Sequence, residues 1–230
     1  MKKILQVLLI ISISLSILVV SIEINAYNKS YYMNSYEKYN ISDATGKSTK
    51  ELSVITDDII LHLKGKGGDE LLNPHFNERE VLHMRDVQGL FDMARVIKYS
   101  GIIISVIIFT KLLYKKEFIK LGKTLLYGPL YTYAIFIILA LLTSTDFNKY
   151  FTYFHYIFFT NDLWLLNPKT DLMIQMLPEA FFMGMAIRIM LSFLVLLSII
   201  QIIGYLYKRK GMRIDEKINR EVKGNITDKQ

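Results

Sequence analysis

Apolar residues run along this chain in four long stretches, Ile4 to Ile22, Phe91 to Thr110, Leu125 to Leu142 and Phe181 to Tyr207. Charged residues return every few positions in the segments between them. Each stretch approaches the roughly 20 residues that a bilayer-spanning helix needs. The second is the most interrupted. Its unbroken apolar part is Gly101 to Thr110, and Asp92, Arg95 and Lys98 occupy its other half. The pattern predicts an all-α integral membrane protein with four transmembrane helices and a small helical cap. The spans are expected at 1–22, 91–110, 125–142 and 181–207, the cap at 23–90, a connection at 111–124, an aromatic loop at 143–180 and a tail at 208–230.

The segment ahead of the second span carries its own pattern. Leu52, Ile55, Ile59, Ile60 and Leu63 recur at helical spacing, with Thr49 as the expected N-cap and Gly65, Gly67 and Gly68 as the stop. A tyrosine-rich stretch, Tyr27 to Tyr39, precedes this helix. Its rings are expected near the outer membrane face, where amphipathic aromatic side chains are favoured.

Composition agrees with a bilayer: 52% of the 230 residues are hydrophobic. Charge then orients the chain. With the N-terminus inside, the cytoplasmic segments hold 15 basic against 5 acidic residues, and the outer segments hold 12 against 16. The excess of basic residues is therefore topogenic rather than a footprint for nucleic acid. Lys2, Lys3 and a small residue at Ala26 also fit a secretory signal peptide. The apolar run is longer than the about 7–15 residues of such a segment, and Ile24-Asn25-Ala26 lacks a small-x-small pattern, so an uncleaved anchor is expected. The chain has no cysteine, which removes disulfides, thiolate ligands and a thiol nucleophile.

Candidate chemistry lies where ionisable groups meet the apolar zone. Asn77 is the expected cap of a charged helix start that runs into the second span. Glu80 and His83 are three residues apart on it, so the carboxylate is placed to orient the imidazole. His83 lies eight residues before Phe91, about 12 Å along a helix, which puts it at headgroup depth. His155 sits among Tyr150, Phe151, Tyr153, Phe154, Tyr156, Phe158 and Phe159, with Trp164 beyond. An aromatic belt accounts for the rings but not for the imidazole, whose neutral form is a base near neutral pH. Glu80 and His83 also form a Glu-x-x-His pair, but di-iron bundles need that pair twice and it occurs once here; no metal is expected. There is no Gly-x-Ser-x-Gly, phosphate-cradling glycine loop or His-Glu-x-x-His. Arg188, near the outer end of the fourth span, is placed to snorkel or to hold an anion.

His83-Met84-Arg85-Asp86-Val87, and Phe154-His155-Tyr156-Ile157-Phe158-Phe159 followed by Trp164, Pro168, Asp171 and Pro178-Glu179, resemble in content and order the bacterial lipoprotein intramolecular transacylase (Lit) family. The resemblance implies a four-helix enzyme of the cell membrane with an extracytoplasmic cap, and the lysine and arginine distribution places both termini in the cytoplasm. It implies transfer of the sn-2 acyl chain of a lipoprotein's diacylglyceryl group to the N-terminal cysteine amine. The family's two catalytic histidines match His83 and His155. Glu80, Asp86, Tyr153, Asp162, Trp164 and Arg188 are then expected to contact substrate or to support them. In this reading His83, oriented by Glu80 or Asp86, is the base and His155 assists the intermediate or the leaving oxygen, with the exchanged roles also open. The partners implied are a diacylated lipoprotein and membrane lipid, with no cofactor, nucleotide or nucleic acid. Two rivals remain at this point: a receptor or chaperone that holds lipoprotein unchanged, and a phospholipase that would release fatty acid.

Overall fold

The computed structural model describes residues 3–227, which fold into nine α-helices and a short 3-10 turn, with no strand among them. The helices are α1 (Lys3–Ala26), α2 (Lys29–Lys38), α3 (Ile41–Thr45), α4 (Thr49–Leu63), α5 (Glu78–Tyr114), α6 (Phe118–Thr145), α7 (Phe147–Phe158), α8 (Leu172–Met176) and α9 (Glu179–Thr227). Four of them, α1, α5, α6 and α9, are long and apolar enough to cross a membrane, and each carries one of the four apolar stretches; residues 1–2 of the first expected span lie outside the described residues. All four helices extend beyond those stretches. α5 runs without interruption from Glu78 through Gly89, so no break separates the charged start from the apolar segment. α6 likewise continues through Gly128-Pro129.

The chain forms two compact units. One comprises the residues up to Leu18, Lys98–Ile138 and those from Ser192 onward. Its core of Leu9, Ile108, Leu112, Leu121 and Leu125 is small, as expected where the outward faces meet lipid. Close backbone approach supplies the rest: a Cβ on Gly204 would lie 2.5 Å from the Leu126 nitrogen. Polar side chains here find partners across helices. Gln6 donates to Thr124 at 2.8 Å, and Gln201 donates to the Leu126 carbonyl at 2.9 Å.

The second unit comprises Val19–Ile97 and Leu139–Leu191. Its core is built on the expected stripe of α4, with Leu52, Ile55, Ile59, Ile60 and Leu63 all buried against Phe76, Val81, Met84, Met173, Met176 and Phe181. The N-cap of α4 is Ser48 rather than Thr49. Its hydroxyl accepts from the Glu51 N–H while the Glu51 carboxylate accepts from the Ser48 N–H, a reciprocal pair that Thr49 is one residue too late to make. The tyrosine stretch also departs from expectation. Tyr32 and Tyr36 are 3% exposed, and their hydroxyls bond the Ala26 carbonyl and Thr56, so these rings are core rather than a headgroup belt. The charges in the first half of the second span are absorbed locally, with Arg95 paired to Asp92 and donating to the Leu63 carbonyl.

Candidate active site

The site lies within the second unit, and the start of α5 sets its geometry. Asn77 caps the helix as expected: its side chain accepts from the Glu80 N–H at 3.1 Å, and the Glu80 carboxylate accepts from the Asn77 N–H at 2.9 Å. The other Glu80 oxygen accepts from the Met173 N–H at 2.6 Å, at the first turn of α8. Asp171 completes this node. It accepts from the Asn167 N–H at 2.7 Å, the Thr170 hydroxyl at 2.9 Å and the Asn77 side chain at 3.2 Å. Both Glu80 oxygens are thus engaged by backbone amides. The carboxylate fastens α5 to the 167–173 segment and does not turn to the His83 ring. Burial pushes its pKa up, and the Met173 and Asn77 N–H groups work against that rise.

His83 follows one turn later on the same face. It is buried, its Nδ1 has no hydrogen-bond partner, and its ring lies 5.2 Å from that of Phe159 and 6.1 Å from that of His155. An unpartnered buried nitrogen costs free energy unless something else bonds it, which makes this atom a receptor for a visiting polar group.

His155 comes from α7, which starts at an Asp146 cap and presents its rings in helical register. Its Nδ1 lies 2.7 Å from the Phe151 carbonyl one turn back. A carbonyl only accepts, so Nδ1 carries the hydrogen and, in the neutral ring, the lone pair resides on Nε2. The imidazole is enclosed by other rings. Trp164 stacks on it at 4.7 Å, Phe151 meets it edge-on at 4.5 Å, and Phe154 and Phe159 lie at 5.5 and 5.6 Å.

The loop after α7 is strapped to α5 on both sides of His83. Arg79 donates to the Asp162 carbonyl, and Asp86 accepts from the Asn161 side chain at 2.8 Å. The Trp164 indole N–H in turn donates to the Asn161 carbonyl at 3.0 Å. Residues four before and three after His83 therefore hold the segment whose tryptophan covers His155.

Both imidazoles stand ahead of or between the apolar spans, and both are held neutral. Burial, reinforced by the neighbouring His155, pushes His83 down to about 4, with Asp86 opposing. Burial also lowers His155, while the Phe151 carbonyl works in the other direction.

Of the residues singled out by sequence, the structure brings His83, His155, Asp86 and Trp164 together, with Glu80 behind them. Asp162 participates through its main-chain oxygen, while its side chain is 76% exposed and 3.7 Å from Arg79. Tyr153 turns to the opposite side of α7, against Tyr150 and Lys149. Arg188 lies 5.0 Å over the Tyr31 ring. Asn161 and Arg79 were not anticipated: a loop amide and one more arginine in a charged helix start carry no signal of their own. Among the described residues no group of three or more metal-ligating side chains gathers.

The family model described as "Lipoprotein intramolecular transacylase Lit" matches residues 7–182. Among solved structures, the in meso structure of the membrane integral lipoprotein intramolecular transacylase Lit from Bacillus cereus is 29% identical with a TM-score of 0.79, covering 94% of this chain and 97% of that one. A structure of the same protein with a histidine replaced by alanine is also 29% identical, with a TM-score of 0.77 and coverage of 92% and 95%. A search of curated proteins found no match.

Proposed function

Because the chain belongs to the lipoprotein intramolecular transacylase (Lit) family, we propose that it moves the sn-2 acyl chain of a diacylglyceryl-cysteine lipoprotein onto the α-amino group of the same cysteine, with His83 and His155 as its catalytic residues. The reading rests on one observation: two buried imidazoles from separate helices face each other at 6.1 Å inside a wall of aromatic rings. The product is the lyso-form lipoprotein, equal in mass to the substrate.

Donor and acceptor belong to one residue, so the transition state closes a ring of about eight atoms and needs no covalent enzyme intermediate. The amine nitrogen attacks the sn-2 ester carbonyl. As it does so it must lose a proton, and the bond to the glyceryl oxygen breaks as that oxygen gains one. His155 suits the proton traffic, because its tautomer leaves the Nε2 lone pair free. Nε2 takes the proton from nitrogen and returns it to the departing oxygen. His83, neutral and with an unpartnered nitrogen, donates to the carbonyl oxygen as negative charge develops there. Of the two role assignments left open by the sequence, this is the exchanged one; it is supported by Glu80 being engaged by the Asn77 and Met173 N–H groups and Asp86 by the Asn161 side chain. The aromatic enclosure keeps water from competing with the amine, favouring aminolysis over hydrolysis.

The protein is integral to the membrane. We place 1–22, 91–110, 125–142 and 181–207 in the bilayer, 23–90 and 143–180 outside, and 111–124 and 208–230 in the cytoplasm, on the strength of the lysine and arginine distribution. The substrate partner is a diacylated lipoprotein presented from membrane lipid.

Purified protein incubated with a diacylated lipopeptide tests the reading by mass spectrometry. The expected result is an unchanged intact mass with an acyl fragment relocated to the N-terminus, lost in His83→Ala and His155→Ala. Binding without relocation, released fatty acid, or wild-type turnover in either variant would overturn it.

A further inference from the structure

The first unit holds a site that the transfer chemistry does not use. Between α1 and α6 runs a trough of about 630 Å³, walled by Val7, Ile11, Leu15, Tyr131 and Ile135, with Phe193 also in its lining. Four of the polar side chains along it are already paired: Gln6 donates to Thr124 at 2.8 Å, and Ser14 and Thr132 bond each other at 3.1 Å. What the trough offers a ligand is therefore hydrocarbon, in a volume within the range of small-molecule sites.

At Gln6 and Lys123, which line both, the trough meets a second cavity of about 880 Å³. Its lining carries Lys116, Lys120, Lys123 and Lys210 against Glu117 and Asp215. Lys120 is bound to Glu117 at 3.0 Å, and the Lys210 ammonium lies 4.8 Å over the Phe118 ring. Among the described residues no carboxylate pairs with Lys123. An apolar channel ending in a basic pocket has the polarity of one amphiphile, a chain capped by an anion.

We propose that this unit binds an anionic phospholipid, with one acyl chain in the α1/α6 trough and the phosphate at Lys123. A second copy of the chain fits less well. Neither α6 nor the part of α1 that belongs to this unit, as far as Leu18, contains an aspartate or glutamate among the described residues, so packing these faces against their own kind would bring Lys123 no counter-charge. The site shares no residue with the unit containing the histidine pair, so its failure would leave the transacylase reading untouched.

Native mass spectrometry of the full chain, released from nanodiscs of phosphatidylglycerol or phosphatidylcholine with identical chains, tests the proposal. The wild type is expected to retain phosphatidylglycerol in preference. Lys123→Gln should lower that retention about fivefold, the worth of one basic residue near an anionic lipid surface, and leave phosphatidylcholine unaffected. Lys123→Arg should bind as the wild type does. Ile11→Trp, at a position 50% exposed in the trough wall, should reduce retention by filling the channel. Equal retention of the two lipids, indifference to both Lys123→Gln and Ile11→Trp, or a lipid-free dimer in place of a lipid adduct would each overturn the proposal.

Discussion

The two histidines of the site are positioned by opposite means. His155 is gripped through its ring, by a hydrogen bond from Nδ1 to its own helix and by Trp164, Phe151, Phe154 and Phe159 around it. The His83 ring makes no comparable bond through Nδ1, and its helix is fixed instead, through Arg79, Glu80 and Asp86 on the same face. The difference matches the roles proposed for the two rings. A group that carries a proton must present one defined lone pair, so its tautomer is locked. A group that meets charge appearing during the reaction needs its position set and its bonding capacity left open.

The strongest way to break this comparison is to remove each ring. His155→Ala should lower kcat about 10²–10⁴-fold, the usual worth of a positioned base, and His83→Ala about 10²–10³-fold, the worth of one donor to a developing oxyanion. Single-turnover acyl migration measures both. Equal loss with full rescue of His155→Ala by free imidazole, and none of His83→Ala, would sharpen the division of labour; the opposite rescue pattern would exchange the roles.

Next in size is the anchor of the His83 helix. Glu80→Ala strands the Met173 and Asn77 N–H groups and should cost about 3 kcal/mol, seen as a lower Tm. Glu80→Gln keeps an acceptor and should retain most activity, since the carboxylate does not touch His83. A Glu80→Gln protein with unchanged Tm and no turnover would show that the carboxylate acts on the imidazole after all.

A smaller effect is expected on the other side. Trp164→Ala removes the stack on His155 and should reduce kcat about tenfold, with Trp164→Phe recovering most of it. A loss confined to KM would recast Trp164 as a substrate contact.

The subtlest test is pH. His83 in the folded chain binds its proton only near 4, whereas the unfolded chain binds it near 6.5. Protonation of the unfolded form alone therefore erodes stability as pH falls from 6.5 toward 4, and thermal melts of wild type should decline more steeply there than those of His83→Gln. Over the same range kcat/KM should show no imidazole inflection near 6.5. It should instead rise through the substrate amine, at about 7.7–8. An inflection at 6.5 that disappears in His155→Gln would mean the aromatic wall admits water.

The four long helices were legible because apolar length is a local property that no tertiary contact has to complete. The histidine in the aromatic segment was legible for a related reason: an imidazole among rings is out of place. What could not be read was which partner each polar group chooses. Glu80 stands at the right spacing to meet His83, yet the same spacing lets it bond back to Asn77, and Met173, 93 residues away, takes its second oxygen. Asp162 drew notice by its charge, while its neighbour Asn161 supplies the side chain that reaches α5. The tyrosines looked interfacial by composition and became core because α4 offers them Thr56 and a complementary apolar face.

Trp164 is the one tryptophan in the chain, and it lies flat against the imidazole assigned to proton transfer. The protein therefore carries an intrinsic optical label at its proposed reacting centre. Charged imidazole quenches indole emission, so fluorescence from unlabelled protein can follow lipopeptide arrival and proton occupancy in real time, with no background from any other indole.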